Sequence, residues 1–148
     1  MAALTVGADA VVIGSRLLAS EEIWAHRAYK DRIVAADEEA SVVAFAGNVP
    51  MGGAWRVLDN ATSREVRRRE TAGAGTHAAF ADIIAGSEAR DGAYRAGDVE
   101  RGMLSCGPAA VFTEAVEPIA AIIDTIMNEA VVARRRMDRL ALAETMSA

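Results

Sequence analysis

The stretch "GADAVVIGSRLLASEEIWAH", residues 7–26, decides how the rest of the chain is read. Between Gly7 and Gly14 lies the unbroken apolar run Ala10-Val11-Val12-Ile13. Continuity of this kind, as opposed to alternation, marks a strand buried on both faces, as in a parallel α/β sheet. A glycine followed by Ser15-Arg16 at the end of such a strand is a pattern that can offer backbone N–H groups to a phosphate. Upstream there is only "MAALTV", the last turn and a half of a helix closed by Gly7. Downstream, Ser20 reads as an N-cap with Glu21 and Glu22 in the first turn, predicting a helix to about Ala36.

The remainder supplies few partners for that strand. "SVVAF" (41–45) reads as one short strand and "GNVPMGG" (47–53) as a loop. "AWRVLDNATSREVRRRE" (54–70) contains a helix, "TAGAG" (71–75) is a break, and Thr76 caps a short helix ending at Gly86. Residues 87–102 are polar and turn-rich. Pro118 sits in the first turn of the longest helix, where its missing N–H costs nothing. Ile119, Ile122, Ile123, Ile126, Met127, Ala130 and Val131 follow the spacing of one buried face. A doubly buried strand needs neighbours for its N–H and C=O groups. The expected structure therefore has one long buried strand, about Ala10 to Ile13, with helices elsewhere and the sheet's other strands upstream of this chain.

Composition narrows the function classes. The chain has 148 residues, 52% hydrophobic and 25% charged, as expected of one globular domain with a core. A net charge of -5 argues against a nucleic-acid partner. No run approaches the roughly 18 apolar residues of a membrane span, and no basic n-region opens a signal peptide, so a cytoplasmic location is expected. The single cysteine, Cys106, excludes an internal disulfide, offers no metal spacing, and reads as a small buried hydrophobe. The arginine-rich "EVRRRE" (65–70) and "ARRRMDR" (133–139) contain acids and read as solvated helix faces.

"GADAVVIGSRLLASEEIWAHRAYKDRIVAA" resembles the last barrel strand and following helix of nitronate monooxygenases. The likeness continues through "SVVAF", "WRVLDN" (55–60, similar to R-V-L-x-N) and "GDVERGMLSCGPAAVFTEAVEPIAAII" (97–123). The opening motif also occurs in other phosphate-binding barrels. Ala25, His26, Tyr29 and Lys30, forming A-H-x-x-Y-K, favour the nitronate monooxygenase branch. The resemblance implies an α/β fold, the C-terminal portion of an FMN-type (β/α)8 TIM barrel, mostly helical in isolation. Residues 1–36 would be the last strand, phosphate-binding turn and following helix, and 37–148 a helical region of the same domain.

The resemblance further implies FMN as cofactor, an alkyl nitronate as substrate, and Gly14, Ser15 and Arg16 as the cofactor-binding residues. Gly14 lets the backbone approach a phosphate oxygen, and Ser15 adds a hydroxyl donor. Arg16 either neutralises phosphate or pairs with Glu21 or Glu22. The family's catalytic histidine belongs to an earlier strand. His26 is expected to be a packing or helix-anchoring residue, His77 to lie on the surface, and the segment alone to be inactive. Where the family often has Gly-Gln, Gly107-Pro108 loses an N–H and an amide. A flavin-type enoyl-ACP reductase segment and a non-catalytic interaction module are the alternatives.

Overall fold

The computed structural model describes residues 2–46 and 52–145. Helix α1 (Ala2–Thr5) ends as the sequence requires. Gly7 takes φ +97°, the Gly7 N–H donates to the Leu4 carbonyl at 3.1 Å, and the Ala8 N–H donates to Ala3 at 3.0 Å. This is the paired-bond closure that a left-handed glycine permits after a helix.

The next segment overturns an expectation. Residues 8–14 form no strand. Val11 is 56% exposed and Val12 102%. The apolar run has the composition of a buried strand, but among the described residues no second strand lies alongside it to accept its backbone bonds or cover its side chains.

The strands that do form are elsewhere. β1 (Ser41–Ala44) and β2 (Trp55–Leu58) pair antiparallel, with Ser41 opposite Leu58 and Ala44 opposite Trp55. The sequence gives no separate sign of β2, which falls at the start of the segment expected to hold a helix. Four residues are too few for periodicity to separate strand from helix, and here pairing with β1 decides it. Most of the loop expected over 47–53 lies outside the described residues; Gly52 and Gly53 have positive φ.

Two further helix starts differ from expectation. Helix α2 (Arg27–Val34) begins at His26, not Ser20. The imidazole Nδ1 accepts the Ala28 N–H at 3.1 Å and so supplies the cap. Helix α3 (Ala61–Thr71) begins after Asn60, whose side chain accepts the Ser63 N–H at 2.8 Å while Ser63 Oγ accepts the Asn60 N–H at 2.9 Å. The short helix expected from Thr76 divides into a 3-10 turn (His77–Ala79) and α4 (Ala81–Ile84). The polar stretch read as turns is largely a π-helical segment, Glu88–Ala96.

Helix α5 (Ile119–Thr145) has the expected position and length, with the Pro118 carbonyl accepting the Ile122 N–H at 3.2 Å. Its expected buried face is not buried as a whole. Ile122 is enclosed, whereas Ile123, Met127 and Val131 are exposed. Among the described residues no helix is long and apolar enough to cross a membrane.

The core draws on the elements that follow the Val11–Val12 segment. One cluster joins Tyr29 and Ile33 of α2 to Leu58, Ala93, Leu104 and Cys106. A second joins Ala44, Phe45, Val57 and Val66 to Phe80 and Met103. Tyr29 meets Tyr94 and Phe45 meets Phe80 edge-on, each at 5.1 Å between ring centres, a favoured aromatic geometry. The α3 arginines Arg68 and Arg69 are paired with acids: Arg68 with Glu65, and Arg69 with both Glu65 and Asp82.

Candidate functional site

The Gly14–Arg16 turn leads into a 3-10 turn, Ser15–Leu17. Its first bonds run from the Leu17 N–H to the Gly14 carbonyl at 2.9 Å and from Leu18 to Ser15 at 3.1 Å. The N–H groups of Ser15 and Arg16 precede any helical acceptor. Together with that of Gly14 they take no acceptor among the described residues. A Cβ built on Gly14 meets no atom within 4 Å, so internal packing does not demand a glycine there.

Two supports hold this turn in place. The Ser15 hydroxyl oxygen accepts the Gly107 N–H at 2.7 Å, leaving the O–H free to donate. A Cβ on Gly107 would stand 2.9 Å from that oxygen, so the close approach depends on glycine. Pro108 opens a 3-10 helix, Pro108–Phe112. It thus occupies a first-turn position where a missing N–H is harmless, and Gly107 makes the contact.

Arg16 is the second support. Its guanidinium pairs with an acid, but neither Glu21 nor Glu22: Nη2 lies 3.3 Å from Glu117 Oε2. Glu21 instead gives its N–H to the Glu117 carbonyl at 2.9 Å. The Glu22 carboxylate accepts the Ile119 N–H at 2.9 and 3.1 Å, at the start of α5. Helix-terminal donors favour such a negative partner, and here it comes from another part of the chain. Arg16 Nη1 is buried with no hydrogen-bond acceptor. The Arg16 charge is already matched by Glu117, and the donors that suit an anion are the free N–H groups of the turn.

A cavity of about 440 Å³ adjoins the turn, bordered by Val11, Ile13, Arg16, Phe112, Glu114 and Glu129. Its two carboxylates disfavour phosphate inside it, so the anion-compatible face is the backbone turn itself.

The other chemically interesting side chains lie elsewhere. His26 caps α2, and its ring fills the space in which a Cβ on Gly97 would come within 2.5 Å of Nδ1. His77 is exposed. Cys106 is buried in the first core cluster, where desolvation pushes its thiol above its ordinary pKa and disfavours the reactive thiolate. Burial likewise raises the Tyr29 and Tyr94 phenols, keeping both protonated. Among the described residues no cluster of His, Cys, Asp and Glu is placed to hold a metal ion.

The sequence model of the family described as Nitronate monooxygenase matches residues 1–129. The chain belongs to the nitronate monooxygenase family. This is a family of flavin-dependent oxidoreductases. Similar solved structures are those of FabK from Thermotoga maritima. One aligns with a TM-score of 0.74 at 29% identity, covering 91% of this chain and 42% of that one. A point mutant of the same protein aligns with a TM-score of 0.70 at 28% identity, covering 93% and 38%. The chain thus spans about 40% of the length of these relatives and corresponds to part of their TIM-barrel fold.

The residues that carried the resemblance prove largely architectural. In A-H-x-x-Y-K, His26 caps α2, Tyr29 enters the core, and Lys30 Nζ donates to the Glu21 carbonyl at 2.9 Å. Lys30 therefore anchors the stretch that follows the Gly14–Arg16 turn. Asn60, the last residue of R-V-L-x-N, donates from Nδ2 to the carbonyls of Val99 at 2.9 Å and Gly102 at 3.0 Å. Sequence reasoning did not identify Glu117 or Glu22 as supports. Their partners are about a hundred residues away, and no local pattern announces such pairings.

Proposed function

We propose that this chain is the C-terminal portion of an FMN-dependent nitronate monooxygenase and that Gly14, Ser15 and Arg16 seat the FMN phosphate. The observation carrying this reading is the turn itself: unpaired N–H groups at positions 14–16 and a Ser15 hydroxyl held by Gly107. The N–H groups and the Ser15 hydroxyl are donors of the kind a phosphate accepts from. Residues 1–36 form the phosphate-bearing unit, and 37–148 cover it and hold it rigid.

Flavin seated there supplies the redox chemistry, by which electrons pass from an alkyl nitronate to dioxygen and leave a carbonyl compound and nitrite. This chain's residues act on binding and orientation. Ser15 and the backbone of 14–16 fix the anion, and the Arg16–Glu117 pair braces the turn from behind. The proton acceptor belongs to upstream β/α units: His26 is committed to its cap, and His77 lies far along the chain on an exposed turn. The chain alone is expected to show no nitronate-dependent oxygen uptake above a free-FMN control.

The FabK likeness favours a second reading, a flavin-type enoyl-ACP reductase, which would use the same phosphate turn. A flavin fluorescence titration of Gly14→Val and Ser15→Ala in a barrel carrying this segment tests the shared part. Gly14→Val should weaken FMN at least tenfold, through loss of one or two charge-assisted bonds of about 1.5–3 kcal/mol each, and Ser15→Ala should weaken it less. Unchanged affinity in Gly14→Val would remove the assignment. Turnover of the same protein with an alkyl nitronate, compared with an enoyl thioester, separates the two readings.

A further inference from the structure

Residues 15–22 lie along residues 107–119, and the two stretches are joined along their length. The Gly107 N–H donates to Ser15 Oγ at 2.7 Å, and Arg16 Nη2 meets Glu117 Oε2 at 3.3 Å. Further on, the Glu21 N–H donates to the Glu117 carbonyl at 2.9 Å. The Glu22 carboxylate closes the seam by accepting the Ile119 N–H at 2.9 and 3.1 Å. The Gly14–Arg16 turn thus stands at one end and Glu22 at the other.

Glu117 is the middle of this seam, and its backbone is held from both sides. It forms an isolated parallel bridge with Ser20, which requires an extended conformation. Pro118 favours the same conformation in the residue before it and fixes its own φ. Glu117 and Ile119 are therefore joined by a stiff link, and a grip on the Ile119 N–H is a grip on Glu117. Through its carboxylate, Glu117 passes that constraint to Arg16. Lys30 ties the other side to α2: its side chain is buried, and Nζ donates to the Glu21 carbonyl at 2.9 Å. Glu22 is exposed, and its carboxylate takes no other hydrogen bond among the described residues.

We infer that Glu22 is a positioning residue for the cofactor phosphate. By fixing Ile119 it holds Glu117 against Arg16 across Pro118, and so keeps the N–H groups of 14–16 in one place. This role rests on the phosphate assignment of the turn. Coupling of this kind is reciprocal, so phosphate seated there should in return protect the Ile119 N–H from exchange.

The test is amide NMR of the full chain and of its Glu22→Ala, Glu22→Gln and His26→Ala variants, each titrated with FMN. Without ligand, Glu22→Ala should speed hydrogen exchange not only at Ile119 but also at Glu21 and at the distant Gly107. It should raise by about fivefold the FMN concentration that half-shifts the Gly14–Arg16 resonances. Glu22→Gln keeps an acceptor oxygen at the same reach and should recover most of that loss. His26→Ala loses stability through the α2 cap instead and should leave the FMN midpoint unchanged. A purely structural role for Glu22 would move the midpoint no more than His26→Ala does. Wild-type Gly107 exchange in Glu22→Ala, or a wild-type FMN midpoint, would overturn the inference and leave the phosphate assignment standing. Gly14–Arg16 resonances that ignore FMN in the wild type would instead remove the phosphate assignment, and the positioning role with it.

Discussion

Asn60→Ala should destabilise this chain more than any other single polar substitution outside the Gly14–Arg16 turn. Asn60 is 2% exposed, and its side chain makes hydrogen bonds in two directions. Oδ1 caps α3 through the Ser63 N–H, and Nδ2 bridges the carbonyls of Val99 and Gly102. Loss of the cap costs about 1 kcal/mol. Loss of the two bridging bonds costs roughly 1 kcal/mol each, and more where a carbonyl stays buried without a donor. The expected total is about 3–4 kcal/mol, a large share of the roughly 5–15 kcal/mol of an ordinary domain. Urea unfolding followed by circular dichroism measures it. Asn60→Ser should lose less than Asn60→Ala, because its hydroxyl retains the cap while the bridge is lost. A loss below about 1 kcal/mol in Asn60→Ala would mean that α3 and the 99–102 turn are not held together by this residue.

Other substitutions probe other parts of the account. His26→Ala should lower stability by about 1 kcal/mol, through the lost cap on Ala28, and leave flavin affinity unchanged; a change in FMN affinity comparable to that of Gly14→Val would refute the capping role. Val12→Asp should alter this chain's stability by no more than about 0.5 kcal/mol, since Val12 is fully exposed, yet prevent folding of an intact barrel; a large loss in the chain alone would mean the segment is covered. Hydrogen bonds from Arg68 and Arg69 hold the Glu65 carboxyl at about 2, below its ordinary value. The lowered folded-state pKa means that its contribution is complete above the ordinary carboxylate range and lost as pH falls toward about 2. A carbon-13 titration placing Glu65 at its ordinary value would contradict that pairing.

The legible parts of this fold are those set by local chemistry. Gly7 closing α1, the long α5 after Pro118, and the paired arginines of α3 all follow from neighbouring residues. The unread parts are set across the chain. Ser20, Glu21 and Glu22 look like a helix start, yet Glu22 is drawn to the N–H of Ile119 and Ser20 to a bridge with Glu117, leaving the helix to begin at His26. Residues 55–58 become a strand because 41–44 lie beside them. The Ala10–Ile13 run reads by composition as a buried strand, but burial depends on neighbours that composition does not supply. At the candidate site, the glycine–serine pair after an apolar run is what draws attention to positions 14 and 15, and the family resemblance adds Arg16. Gly107 and Glu117, which hold that turn, are not apparent, because their role comes from contacts about a hundred residues away.

The claim that the Gly14–Arg16 turn seats a phosphate is tested most directly by amide NMR of this chain titrated with FMN and, separately, with riboflavin. The two ligands share the ring system and differ by the phosphate. The account predicts that the N–H resonances of Gly14, Ser15 and Arg16 move with FMN and stay in place with riboflavin. Equal shifts with both ligands, or FMN-dependent shifts confined to other residues, would contradict it.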